Sequence, residues 1–252
     1  MPAYISHTIM AREVYKRINN KYVNEEYMIT FSLGGDLTKY SKCRRDSHNK
    51  LLDEFIYNMC MYMRKKDLTN DGECLGVLYG HICHYIMDTR VHPLVRKIDK
   101  CCEKNKHNHT MIELYYDNYL SKKYCDVTLD RHDNKALFKG KMNEKVCNML
   151  NDTYKKTYDC EKISKYYKFN LWLYKKIRLL YKIFTFNFLK KISGMNSFLN
   201  RNKDIDLINE DNRVEYNDYE NKTNSNSLNE LFNICVDDAV KYIRKVNNYL
   251  YK

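Results

Sequence analysis

Glycine and proline are scarce in this chain, and no other feature limits its fold as strongly. The 252 residues include only 7 Gly and 2 Pro. A sandwich or a barrel needs many tight turns, and these two residues supply most of them. Long stretches without a breaker favour helices instead. Since 44% of the residues are apolar, the chain can also bury a core. We therefore expect an all-α multi-helix bundle, formed as a single domain by residues 1–252.

Periodic apolar positions predict where the helices lie. The predicted helices cover residues 7–19, 48–65, 73–91 and 228–251, with a further helix beginning near His109. Pro93 is expected to end the third of these, because proline lacks an amide hydrogen and its ring clashes with the preceding turn. Ser227 or Asn226 is expected to cap the last helix. Residues 31–47 are predicted to form a loop, and the polar residues 204–227 a flexible one.

Targeting and cysteine usage predict a cytoplasmic protein. The N-terminal sequence MPAYISHTIMAREVYKRI has no apolar stretch of the kind found in secretory signals. No segment approaches the ~18 consecutive apolar residues of a membrane span. The 10 cysteines form no C-x-x-C pair. We therefore expect reduced thiols rather than a disulfide framework.

The net charge of +12 predicts an anionic partner, either a phosphate-bearing substrate, an anionic membrane surface or nucleic acid. Every charged side chain in residues 162–203 is basic, and aromatic residues are interleaved with them. This segment has two main interpretations. It is either a packed helix with a solvated basic face, or an interfacial segment with Trp172 and its neighbours at the headgroups of an anionic membrane. A groove for nucleic acid is the third.

Histidines and carboxylates recur at a spacing of four residues. His84 and Asp88 form one such pair and His109 and Glu113 another, while His92 follows Asp88 after four further residues. Residues four apart share one face of a helix. Imidazole nitrogen combined with carboxylate oxygen suits a catalytic zinc ion. Each pair alone is weak, because solvated helix pairs have the same spacing.

Asp88 strengthens the metal hypothesis. It follows the apolar run LGVLYGHICHYIM, where an unpaired carboxylate would be costly to bury. His84 lies on the same predicted face. A metal ion would compensate the charge of Asp88, so the sequence predicts a metal site between helices.

The order of these residues resembles the zinc-dependent phospholipase C family and the related secreted trinuclear-zinc nucleases. Those proteins use the N-terminal residue, a His, an Asp, a His, a His-x-x-x-Asp pair, a His, and a His-x-x-x-Glu or His-x-x-x-Asp pair. The matching residues, all within residues 1–120, are His7, Asp36, His48, His84, Asp88, His92, His109 and Glu113. The spacing from Asp88 to His92 is shorter than in the secreted enzymes.

The resemblance implies a site with up to three zinc ions. Asp36, His48, His84 and Asp88 would bind the first ion. His92, His109 and Glu113 would bind the second. The third would lie between His7, the bridging Asp88 and the amine of Pro2, exposed by removal of the initiator Met.

The resemblance also implies an activity. We expect a phosphodiester hydrolase that acts on a phospholipid through metal-activated water, with Asp36 as the residue that accepts the proton. A zinc nuclease on the same cluster is one alternative, and a non-catalytic zinc-binding protein associated with membranes is another. The other three histidines, His81, His107 and His132, are expected to be structural or solvated, although His81 is close enough in sequence to support or rival His84.

Overall fold

The structure is a computed structural model that describes residues 4–44, 52–102, 108–127, 139–183 and 195–251. Its helices are α1 (Tyr4–Ile18), α2 (Glu25–Phe31), α3 (Leu52–Lys65), α4 (Gly72–Cys101), α5 (Asn108–Cys125), α6 (Glu144–Tyr158), α7 (Ser164–Ile183), α8 (Met195–Arg201) and α9 (Leu228–Leu250). A 3-10 helix spans Gly34–Thr38, and β1 (Tyr216–Asn217) pairs antiparallel with β2 (Thr223–Asn224). The predicted all-α fold is confirmed.

Helix α4 is the centre of the bundle. It packs against α1, α2, α3, α5, α6 and α9 and against the 3-10 helix. Buried side chains occur all round its circumference, as expected for a helix enclosed by others. Helix α2 lies directly on it at Gly80, where an added Cβ would stand 2.7 Å from the carbonyl oxygen of Met28. The central helix therefore touches every element that carries a predicted metal ligand within the described residues.

The prediction that Pro93 ends a helix is wrong. Helix α4 continues through Pro93 for eight more residues, to Cys101. An internal proline costs about 3 kcal/mol, because one hydrogen bond is lost and the ring crowds the preceding turn. Beyond the proline, Leu94, Val95 and Ile98 are all buried. Their burial offsets the cost, since each fully buried aliphatic side chain contributes roughly 1.5–3 kcal/mol.

The last helix begins as predicted. Ser227 caps α9 by accepting a hydrogen bond from the backbone N–H of Glu230, whose side chain accepts in return from the N–H of Ser227. This reciprocal pair is a capping box. The segment 204–227 before it contains the hairpin β1–β2, and Asn209 holds it together by hydrogen bonds to Val214 and Ser225. The flexibility of this segment stays a prediction.

All ten cysteines are free. Within the part of the chain that the structure describes, none of the helices has the length and apolar character required to span a bilayer.

Candidate metal centre

Three of the predicted ligands lie on one face of α4. His84, Asp88 and His92 follow one another at four-residue intervals, and the continuous helix keeps all three in line. Asp88 is the middle residue, and its side chain is only 12% exposed. Its carboxylate contacts three imidazoles: His7 Nε2 at 3.2 Å, His84 Nε2 at 3.4 Å and His92 Nδ1 at 3.5 Å. One buried carboxylate thus joins residues from two helices.

His7, Asp36 and His84 form what we call the first donor group. One ligand atom from each lies within 4.8 Å of the other two. These residues come from α1, the 3-10 helix and α4, so the group exists only because the three elements meet. The rings of His7 and His84 lie against each other with centroids 4.6 Å apart, and both residues are buried.

The backbone around the 3-10 helix sets the orientation of His84. Its Nδ1 lies 3.2 Å from the carbonyl oxygen of Ser32. A carbonyl only accepts hydrogen bonds, so Nδ1 carries the hydrogen and Nε2 keeps its lone pair for the site. Gly34 packs on the ring: its φ is +35°, and an added Cβ would be 2.5 Å from His84 Cγ. Only glycine fits at this position.

His92, His109 and Glu113 form the second donor group, again with ligand atoms within 4.8 Å of one another. Glu113 Oε1 lies 3.0 Å from His109 Nε2 and 3.4 Å from His92 Nε2. His92 Nδ1 donates to the carbonyl oxygen of Asp88 at 3.0 Å, which leaves its Nε2 directed at Glu113. Glu113 is buried, whereas the side chain of His109 is 36% exposed. This group therefore opens toward solvent.

The carboxylates and imidazoles of the two groups shift one another's pKa values. Burial alone would lower the pKa of His92, but the carboxylates of Asp88 and Glu113 outweigh it and raise that pKa to about 9. Burial alone would raise the pKa of Glu113, but His109 and His92 lower it to about 2. The pKa of Asp88 is held well below its usual value in the same way, because His84, His92 and His7 outweigh its burial. Both carboxylates are therefore ionised.

The donor atoms suit a divalent metal ion. Both groups combine imidazole nitrogen with carboxylate oxygen, a set that borderline metal ions prefer. His7 Nδ1 is buried and has no hydrogen-bond partner among the described residues, as expected of an atom reserved for a ligand. The two groups can each hold a metal ion.

The structure places seven of the nine predicted ligands in these two groups and their bridge. The seven are His7, Asp36, His84, Asp88, His92, His109 and Glu113. The second group has the membership that the resemblance implies. His7 lies beside Asp36 and His84 and also contacts Asp88, its predicted partner in the third set. Pro2 and His48 lie outside the described residues, as do His107 and His132.

His81 belongs to a different network. Its Nδ1 lies 2.8 Å from the carbonyl oxygen of Val77 and its Nε2 lies 2.7 Å from the hydroxyl of Tyr167. Both ring nitrogens are therefore occupied. Burial lowers the pKa of His81 to about 4, so the ring is neutral and structural. The Tyr167 hydroxyl also lies 3.2 Å from the carbonyl oxygen of Gly34, which places this network beside the 3-10 helix.

Asp117 positions the helix turn that carries His7, although it is not among the predicted site residues. This buried carboxylate accepts hydrogen bonds from the backbone N–H groups of Ile5 and Ser6 and from the Ser6 hydroxyl. It therefore fixes the first turn of α1, directly before His7. A signal was present, because Asp117 extends the four-residue spacing of His109 and Glu113 by one further step.

Comparison with protein-family models, with curated proteins and with solved structures finds no match for this chain.

Proposed function

We propose that this protein is a zinc-dependent phosphodiester hydrolase of the phospholipase C type, with a phospholipid as its substrate. The observation that carries the proposal is Asp88, which contacts His7, His84 and His92 and so joins two donor groups into one cluster. Neighbouring metal ions are typical of enzymes that displace groups at phosphorus. When bound, zinc would lower the pKa of a water molecule and neutralise charge on the phosphoryl oxygens.

The chemistry of the donors supports zinc over magnesium and calcium. Every donor in both groups is an imidazole or a carboxylate, and the three donors that each group has among the described residues leave coordination positions for water and substrate. Magnesium and calcium prefer sites made of oxygen alone. The up to three ions implied by the family pattern would require Pro2 and His48 in addition to the residues of the two groups.

The site residues have different roles in the proposed reaction. In the proposed hydrolysis, water attacks phosphorus, and the bond between phosphorus and the glycerol oxygen breaks. Asp36 accepts a proton from the attacking water and passes it to the glycerol oxygen, which leaves as a hydroxyl group. The partly exposed His109 marks the side from which substrate would enter. Asp88 and Glu113 stay ionised and hold the imidazoles in place.

The test is metal analysis followed by a panel of phosphodiesters. Protein purified without chelator should contain stoichiometric zinc and should hydrolyse phosphatidylcholine in preference to single-stranded DNA. His84→Ala and Glu113→Ala should each lose zinc, and Asp36→Asn should lower kcat by roughly 10²–10⁴-fold. Glu26→Gln is the matched control: it alters an exposed ion pair with Lys139 and should change neither zinc content nor activity.

Other outcomes would contradict the proposal as a whole, its substrate or its catalytic activity. Protein without zinc would contradict the whole proposal. Cleavage of single-stranded DNA but not of lipid would contradict the substrate and support a nuclease. Zinc-loaded protein that hydrolyses no member of the panel would instead support a non-catalytic metal protein.

A further inference from the structure

Three exposed aromatic rings form one continuous patch on the surface. They belong to Tyr40, Phe169 and Trp172, which are 61%, 47% and 53% exposed. The ring centroids of Tyr40 and Phe169 are 5.9 Å apart, and those of Phe169 and Trp172 are 6.1 Å apart. We call these three residues the aromatic patch. Contiguous exposed apolar surface of this kind marks an interaction site more often than scattered exposed residues do.

Helix α7 presents two of these rings by burying its opposite face. Tyr167, Asn170, Leu171 and Tyr174 are buried, which leaves Phe169 and Trp172 in solvent. Asn170 donates hydrogen bonds to the carbonyl oxygens of Leu37 and Lys39, both at 3.0 Å. The helix is thereby fixed to the segment that carries Tyr40.

The backbone of Tyr40 is held in an unfavourable conformation. Its φ is +72°, in the left-handed region, which costs a side-chain-bearing residue roughly 1–2 kcal/mol. This conformation places a tyrosine ring in water beside Phe169, where no burial repays the cost. Strain that a fold maintains without a packing benefit is typical of functional positions.

Lysines surround the aromatic patch. Lys165, Lys168, Lys175 and Lys176 are exposed on α7. The Lys176 ammonium lies 5.9 Å from the centre of the Trp172 ring, and that of Lys39 lies 5.3 Å from the centre of Tyr40. The nearest acidic residues before this helix in sequence, Asp159 and Glu161, are ion-paired with Lys155. The patch therefore faces its partner with positive charge.

We infer that the aromatic patch and its lysines dock the protein onto an anionic lipid bilayer. Tyrosine and tryptophan rings favour the headgroup boundary, where one end is apolar and the other is wet, and Phe169 supplies a fully apolar centre. Each lysine near an anionic bilayer contributes about 1 kcal/mol. Nucleic acid fits less well, because its bases need free ring faces to stack on. Here the ammonium groups of Lys39 and Lys176 lie over the rings of Tyr40 and Trp172.

The aromatic patch is connected to the first donor group. Tyr40 follows the 3-10 helix that carries Asp36, and both ends of this short segment are held by α7, through Tyr167 at Gly34 and Asn170 at Lys39. A docked bilayer would present phospholipid beside the segment that carries Asp36. Docking itself does not depend on catalysis; only the role of the bilayer as a source of substrate rests on the proposed function.

Trp172 makes the inference directly testable, since it is the single tryptophan of the chain. Its fluorescence is measured with vesicles of phosphatidylcholine, with and without phosphatidylglycerol. With the anionic vesicles, the emission should shift to shorter wavelength and be quenched by lipids brominated in the acyl chain. Added salt should weaken the binding. Phe169→Ser should reduce the affinity roughly fivefold, and Lys168→Gln combined with Lys175→Gln roughly thirtyfold.

Two control variants test whether the aromatic patch itself binds the vesicles. Tyr57→Ser removes a tyrosine that is equally exposed, at 58%, but lies on α3, and it should leave vesicle binding unchanged. His109→Ala disables the second donor group and should also leave vesicle binding unchanged. This variant therefore separates a loss of catalysis from a loss of docking. Emission that does not respond to anionic vesicles would overturn the inference. So would an equal loss in Tyr57→Ser, or a response to single-stranded oligonucleotide alone.

Discussion

His84 and His92 are each oriented by a main-chain carbonyl group. One of these carbonyl groups is close to its histidine in sequence, and the other is far from it. His92 donates to Asp88, one turn back on its own helix. His84 faces Ser32, which lies 52 residues away. Such outer hydrogen bonds typically change metal affinity by 10–100-fold, because they fix the tautomer and the ring plane. The first donor group therefore depends on the packing of the segment 32–38 against α4.

Gly34→Ala should damage this packing. The added methyl group would stand 2.5 Å from His84 Cγ, and alanine disfavours the positive φ at this position. We expect a loss of about 2–3 kcal/mol in the free energy of unfolding, from overpacking and backbone strain together. Zinc bound at the first donor group should be lost with it.

The second donor group serves as the internal control for Gly34→Ala. Denaturant unfolding measures the stability change, and elemental analysis measures the zinc per chain. The zinc content should fall without reaching zero, because His92, His109 and Glu113 do not contact Gly34. Unchanged zinc content would show that the close packing of Gly34 on His84 has no role in metal binding.

Local spacing predicts some site residues, whereas others depend on distant parts of the chain. The alignment of His84 and Asp88 follows from the pitch of a helix, so it can be predicted from the sequence. The separate role of His81 cannot, because its partner Tyr167 lies 86 residues further on. His81 and His84 both lie in the apolar run LGVLYGHICHYIM. Only the tertiary packing decides which of them faces the site.

At the level of elements, α4 shows how a local rule fails. A proline normally ends a helix, and the sequence alone does not show how deeply the residues after it are buried. The buried residues Leu94, Val95 and Ile98 stabilise the continuation more than Pro93 destabilises it. Continuation also keeps His92 in a regular helical turn, where its backbone acceptor is available.

Helix α1 depends on α5 for its start. The first N–H groups of a helix have no partners within it, and Asp117 accepts from two of them, at Ile5 and Ser6. A carboxylate at this end is also favoured by the helix dipole. Asp117→Ala should therefore cost about 1–3 kcal/mol, because buried donors lose their acceptor. It should also weaken zinc binding at the first donor group by roughly 10–100-fold, since His7 follows in the same turn.

Asp71→Ala is the matched control for Asp117→Ala. Asp71 caps α4 by accepting from the N–H groups of Glu73 and Cys74, which is the same kind of interaction. It lies about 20 Å from His84 along the helix axis. Thermal melts should show destabilisation in both variants, but chelator competition should show weaker zinc binding only in Asp117→Ala. Equal zinc affinity in the two variants would limit Asp117 to a role in stability.

Across the whole molecule, both donor groups share the central helix with the hydrophobic core. His7 reaches the site from α1, Asp36 from the 3-10 helix, and His109 with Glu113 from α5. The scarcity of glycine and proline is sufficient to predict this class of fold. It does not predict which helices meet, because that depends on contacts between residues far apart in sequence. The contacts between helices that form the core therefore also assemble the two donor groups.

Removing the metal should therefore destabilise the entire protein. Metal that binds the folded state alone adds its binding free energy to folding, about 4 kcal/mol when the free ion exceeds its Kd a thousandfold. For a chain of this size, 1 kcal/mol corresponds to roughly 2–4 °C in Tm, so chelation should lower Tm by about 10 °C for each ion removed. Added zinc should restore it. A His84→Ala, His109→Ala double variant provides the control, since its melt should not respond to chelator. A wild-type melt that stays unchanged after confirmed metal loss would contradict the link between metal binding and folding.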